Sequence, residues 1–185
     1  MPKNNKRSIG PRFKTCKEKT QTIKKEIKIA KKKKTGITSC QINTHLVNCA
    51  NFIGCFAQDE LKDLTIRSLP VFIIVNFDHS ASNGTHWIAI YISKTTLEIF
   101  DPLGFNTSLW PNIPHFLLDF LHKYSTNRKI LISKQIQSPS STLCGFFCIY
   151  FVLHRTNNTF KICNNLFSAQ LLCNDNILIN VFNKI

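Results

Sequence analysis

The chain has 185 residues, 43% of them hydrophobic, and a formal net charge of +14 from 24 Lys plus Arg against 10 Asp plus Glu. That length allows one domain, or one domain with a tail, and that apolar fraction excludes wholesale disorder. Taken whole, the charge is that of a nucleic-acid binder. It is unevenly placed, however: Met1–Lys34 holds 14 of the basic residues and only Glu18 and Glu26 as acids, so +12 sits there and +2 on the rest.

Residues 1–36 therefore read as a basic, disordered tail, with a transient helix over Gln21–Lys33, and residues 37–185 as the folded domain. The tail has no apolar stretch of the secretory kind, so export is not expected. The longest apolar run elsewhere, near Leu143–Leu153, is too short to span a bilayer.

Gly36–Gln41 reads as a hinge and Gln41–Asn51 as a short helix with Asn43 and Thr44 as N-cap candidates. Phe52–Leu69 is mixed, with Gln58–Glu60 opening a short helix or loop. Val71–Val75 is apolar throughout and rich in β-branched residues, the pattern of a buried strand. Asp78–Thr85 is turn-like, His86–Ile92 is a second buried strand, and Ser93–Thr95 connects it to a third over Thr96–Asp101. An amphipathic helix follows Pro111 over Ile113–Tyr124, then a strand over Lys129–Gln135 and a polar loop over Gln137–Thr142. Leu143–Arg155 is apolar on almost every side, so it is a central buried helix. One or two helices occupy Leu166–Phe182. Strands in the middle with helices at both ends give an α+β fold.

The eight cysteines (16, 40, 49, 55, 144, 148, 163 and 173) contain no CxxC pair. Their spacing fits neither a disulfide framework nor a zinc site, so no metal is expected and most should be small buried apolar residues. The sequons at Asn83, Asn106 and Asn157 are expected to be incidental.

Three segments carry chemistry: Gly84-Thr85-His86-Trp87, Phe100-Asp101-Pro102-Leu103-Gly104, and the loop from Gln137 to Cys144-Gly145. Cys144 opens a helix, where free N–H groups and the macrodipole favour a thiolate. Gly145 beside it would leave backbone room for a substrate. His86, at the head of a strand, can take the thiol's proton. If the hairpin pairs Ile88–Ile92 with Thr96–Phe100, Asp101 falls near His86 and can fix its tautomer. Gln137 can join the Cys144 N–H in binding an oxyanion, with Gln135 as its competitor. Taken singly, each has an ordinary structural explanation; together they are the groups a thiol protease uses.

The order His, Asp, Gln, Cys, with GTHW, FDPLGF and Q-x6-C-G-x-F-C over roughly Asn51–Arg155, resembles the adenovirus-type cysteine endopeptidases (adenains). More loosely it resembles the SUMO/ubiquitin-like-protein proteases of the same fold. Among adenain-like proteases, those of Maverick/Polinton elements and related viruses look most similar. The resemblance implies a papain-like α+β fold with permuted order, a central buried helix packed on a small mixed sheet. It makes residues 37–185 the protease domain, with Cys144 as nucleophile, His86 as base and then acid, Asp101 as its orienter and Gln137 as oxyanion donor. Trp87 corresponds to the aromatic after the histidine. Viral or element-encoded capsid precursors are the implied substrates, in the nucleus or virion, cut by a monomer. The chemistry requires no cofactor. DNA is implied as an activator, reached here through the basic tail Lys3–Lys34; a peptide activator is not carried over, because its pairing cysteine is unassigned. The alternatives are an isopeptidase for a ubiquitin-like modifier and an inactive nucleic-acid-binding module.

Overall fold

The computed structural model describes residues 16–105, 113–156 and 167–182. Five strands form one sheet in the order β1 (Phe52–Ala57), β2 (Val71–Asn76), β3 (Trp87–Ile92), β4 (Thr96–Phe100) and β5 (Lys129–Ile132). The outer pairs, β1/β2 and β4/β5, are parallel and the inner pairs antiparallel, so the sheet is mixed. The expected hairpin forms, with Ile92 opposite Leu97 and Ala89 opposite Phe100.

Alternate residues of the inner strands face different layers. Phe72, Ile74, Ala89 and Phe100 pack into the cluster formed with α4 (Cys144–Thr156). Val71, Ile73, Val75, Ile88 and Ile90 pack with Leu117, Phe120 and Leu121 of α3 (His115–Ser125) on the other face. Coverage on both sides is why β2 is apolar without alternation. The helix α4 is buried from Cys144 to Val152, as its all-round apolar sequence requires. Its charged end is satisfied by Arg155, which donates twice to Glu98 at 2.9 and 3.1 Å and lies over Tyr91. The edge strand β5 is exposed throughout and shorter than the expected Lys129–Gln135.

The N-terminal segment departs most from expectation. Residues Cys16–Lys33 form helix α1 rather than disordered chain. Thr20, Ile23, Ile27 and Ala30 recur at three- and four-residue spacing and are buried, Ile27 completely. This stripe packs in the α4 cluster with α2 (Ser39–Leu46) and α5 (Asn174–Val181). Glu26 accepts a 2.9 Å bond from buried His45 of α2, and Lys31 Nζ donates to Asn176 of α5 at 2.8 Å. Lys25 and Lys28 are exposed on the outer face, and Lys31, Lys32 and Lys33 fall in the last turn, where they complement the helix dipole. Counting charge hid this apolar stripe.

The hinge is likewise a packed connection. Ile37 is buried, and Thr142 Oγ1 donates to Thr35 O at 3.1 Å. Thr38, not Asn43 or Thr44, caps α2, in a capping box completed by Gln41. The mixed stretch after α2 supplies β1 and a 3₁₀ turn over Gln58–Lys62. Among the described cysteines only Cys144 and Cys148 are buried; Cys40 and Cys173 are exposed, Cys49 and Cys55 partly so, and all six are unpaired. The expectation of mostly buried cysteines therefore fails, since four of them sit on helix ends, an edge strand or turns. Cys16, Cys163, Asn106 and Asn157 lie outside what is described of side chains. Among the described residues no helix is long and apolar enough to cross a membrane, and no group of His, Cys, Asp and Glu could hold a metal ion.

Candidate active site

Cys144 is the first residue of α4, where the leading N–H groups have no partners within the helix. Leu143 precedes it, and the Leu143 carbonyl accepts from Phe146 N and Phe147 N, closing the first turn. The Cys144 thiol lines the same cleft as His86, which stands just before β3 and interacts with it electrostatically. On its other side the ring meets Asp101 at the end of β4, Nε2 to Oδ1 at 2.8 Å. Asp101 Oδ1 also accepts from Leu103 N at 2.8 Å, and the Asp101 N–H donates to Ser133 Oγ, so the carboxylate is fixed by the turn that follows it. Burial pulls the His86 pKa down, but the bond to Asp101, then the interaction with Cys144, outweigh it and lift the pKa to about 9. Phe77 closes over the ring edge-on at 5.1 Å.

The turn after Asp101 also builds the neighbouring loop. The Pro102 carbonyl accepts from both Ile136 N and Gln137 N, at 2.9 and 2.8 Å. Gly104, at φ +84°, comes so close to Gln135 that a Cβ there would meet Gln135 Cβ at 2.9 Å. The second and third motifs are therefore one packed unit.

Gln137 is 1% exposed; its Nε2 donates to Ser141 O at 2.7 Å, and its Oε1 has no partner among the described residues. The bond to Ser141 engages one amide hydrogen and leaves the second for another acceptor. Gln135 is exposed and spends its amide on Gln137 O at 3.1 Å. Of the two glutamines, Gln137 lines the cleft.

That cleft holds about 700 Å³ and is lined by His86, Trp87, Gln137 and Cys144, continuing past Thr38, Cys55 and Glu60 to the 78–85 loop. The structure thus brings His86, Asp101, Gln137 and Cys144 to one place. The Trp87 indole donates to Ile37 O at 3.0 Å, pinning the α1–α2 connection against the site. A Cβ on Gly145 would meet Ile37 Cγ2 at 2.3 Å, so the room beside Gly145 is filled by the chain's own Ile37 rather than left for a substrate. Ile37, Ser141 and the Pro102 carbonyl are site-forming groups that no local motif announces. Asn83 lines the same cleft, and the loop carrying it is braced by Ser80 N and Oγ donating to Asp59 at 2.7 Å, and by Thr85 N donating to Asp78.

Two other thiols lie near. Burial pushes Cys55 up to about 12 and Cys148 well above its ordinary range, and Cys148 Sγ donates to Trp87 O at 3.3 Å. Neither is held as a nucleophile. A thiol at a helix start, an imidazole on it and a carboxylate behind the imidazole form the kind of site that performs nucleophilic acyl chemistry.

The comparisons agree. The family model described as adenovirus endoprotease matches residues 52–172, and the chain belongs to that family. It is 31% identical over 88 residues to the "Protease" of Bovine adenovirus C serotype 10, covering 43% of this chain and 45% of that one. The "Protease" of Bovine adenovirus 4 is also 31% identical over 88 residues, covering 43% of this chain and 44% of the other. The match thus spans less than half the length of these curated relatives.

Proposed function

We propose that this chain is a cysteine-type endopeptidase that hydrolyses peptide bonds through a thioester on Cys144. One observation carries the reading: His86 is hydrogen-bonded to Asp101 and interacts with Cys144, and both His86 and Cys144 line the wall of the cleft. In this reading the Cys144 sulfur attacks the substrate carbonyl. The Cys144 N–H and the free Gln137 amide hydrogen receive the oxyanion. The C–N bond breaks as the His86 imidazolium gives its proton to the leaving amine. Water then attacks the thioester, His86 takes a proton from it, and the C–S bond breaks to release the acid and restore the thiol. Asp101 keeps Nδ1 toward sulfur and stabilises the imidazolium. The corresponding fold is the papain-like one with permuted order, with the thiol on the central helix and His and Asp on the sheet. The mixed sheet and buried α4 support that assignment.

Family membership points to capsid precursors of a virus or mobile element as substrates, met in the nucleus or virion. No cofactor enters the chemistry. DNA is proposed to bind the exposed lysine face of α1, which includes Lys25, Lys28 and Lys32, with salt-sensitive affinity. Replacing these three with Gln should weaken DNA binding and flatten its salt dependence without touching cleavage of short peptides; unchanged affinity would remove the DNA role.

The test of the enzymatic reading is incubation with a capsid precursor of an adenovirus-type virus, wild type against Cys144→Ala, with cleavage sites read by mass spectrometry. Site-specific cleavage by the wild type alone is expected. Equal cleavage by Cys144→Ala would overturn the reading.

A further inference from the structure

The loop that carries Gln137 is held from outside the motifs. Asn174 and Asp175 open α5 and lie just beyond residues 52–172, the stretch that matches the family model. Asn174 is fully buried. Its Nδ2 donates to Ile136 O at 2.7 Å and to Ser168 O at 2.9 Å, while its Oδ1 accepts from Ser168 N at 2.8 Å. One side chain thus fixes the residue immediately before Gln137. Asp175 Oδ1 accepts from Ser141 Oγ at 2.9 Å. Ser141 is the residue whose carbonyl takes the Gln137 amide at 2.7 Å, and its Oγ also accepts from Leu143 N, next to Cys144, at 3.3 Å.

We propose that Asn174 and Asp175 are positioning residues for the oxyanion site, clamping the two ends of the Gln137–Ser141 loop so that the Gln137 amide is fixed before substrate arrives. The inference rests on the peptidase reading of Cys144 and Gln137. An acidic residue in the first turn of a helix favours that helix in any case. Here, however, the carboxylate takes the Ser141 hydroxyl across the loop. Oxyanion stabilisation depends on donors that need no reorganisation during the reaction, and a donor held by one hydrogen bond to a loop carbonyl is only as well placed as that carbonyl. The chain Asp175, Ser141 carbonyl, Gln137 amide supplies that placement.

The test separates oxyanion binding from nucleophile reactivity. Alkylation of Cys144 by iodoacetamide forms no oxyanion, whereas peptide hydrolysis does. Asp175→Ala should lower kcat for a peptide substrate about tenfold, part of the loss from deleting a donor outright. KM should be unchanged, as should the alkylation rate at Cys144. Asp175→Asn, whose Oδ1 can still accept from Ser141, should hold kcat within about twofold of wild type, because the lost contact is an accepted hydrogen bond. Should Asp175→Ala not fold, Asp175→Leu, which keeps side-chain bulk but offers Ser141 no acceptor, takes its place and carries the same expectation. Wild-type kcat in Asp175→Ala, a parallel fall in alkylation rate, or failure of Asp175→Asn to retain activity would each overturn the clamp. Cys144→Ala is measured alongside: residual cleavage there overturns the peptidase reading. Cysteine-dependent cleavage with Asp175→Ala unimpaired overturns the clamp alone.

Discussion

His86 meets Asp101 through Nε2, 2.8 Å from Oδ1, which leaves Nδ1 as the ring nitrogen for Cys144. The side chains of both His86 and Asp101 are largely covered, 13% and 8% exposed, so the pair is little screened by water. The raised His86 pKa of about 9 sets a sign. Stabilisation by the imidazolium is fully present below the ordinary value near 6.5 and is lost as pH rises through about 9. The alkaline limb of kcat/KM should therefore fall near pH 9. In Asp101→Asn that limb should move toward neutral pH, and kcat should drop by roughly tenfold or more as the orienting charge is lost. A pH–rate profile of the two proteins checks both expectations.

Gln137→Ala should lower kcat by about a hundredfold with little change in KM, because a donor aimed at developing charge acts in the transition state. Steady-state kinetics on one peptide measures the split. A rise in KM alone would assign Gln137 to substrate binding.

Ile27 is fully buried between α1 and the rest of the core. Ile27→Ala should cost about 2–5 kcal/mol of unfolding free energy, read from urea denaturation. Replacing exposed Lys25 or Lys28 should stay within about 0.5 kcal/mol, the usual range for surface changes. Equal, small effects at all three positions would mean that α1 is dispensable to the fold.

Gly145 and Ile37 form a close pair. Gly145→Ala should destabilise by about 1–3 kcal/mol, the usual range for overpacking, and disturb Cys144 next to it. Ile37→Ala removes the Cγ2 that the new methyl would strike, so the double variant should regain part of the activity lost by Gly145→Ala. Thermal melts and peptide cleavage on the three variants test the coupling; purely additive losses would dissolve it.

The pieces legible in the sequence are those fixed by local pattern. The β3–β4 hairpin followed from two apolar runs and a short connector, and its register carries His86 and Asp101 to one end of the sheet. Cys144 at the start of a helix followed from a polar loop meeting an all-round apolar segment. What stayed hidden depends on distant partners. The strand β1 bulges between Phe52 and Gly54, where its register with β2 shifts, and a parallel pairing leaves no turn signal. The apolar stripe of α1 has three aliphatic residues among many lysines and declares itself only against α4 and α5. The Thr38–Gln41 capping box was readable as a T-x-x-Q pattern, and it marks the true start of α2. Ile37 against Gly145, and Asp175 against Ser141, join residues far apart in the chain, which no spacing rule brings together.

The thioester is the central claim, and trapping it is the most direct measurement. Wild-type protein mixed with a cleavable peptide, quenched in acid within the first turnovers and analysed by intact and peptide-level mass spectrometry, should carry the acyl half of the peptide on Cys144. Cleavage with no acyl adduct on Cys144, and undiminished in Cys144→Ala, would contradict the account.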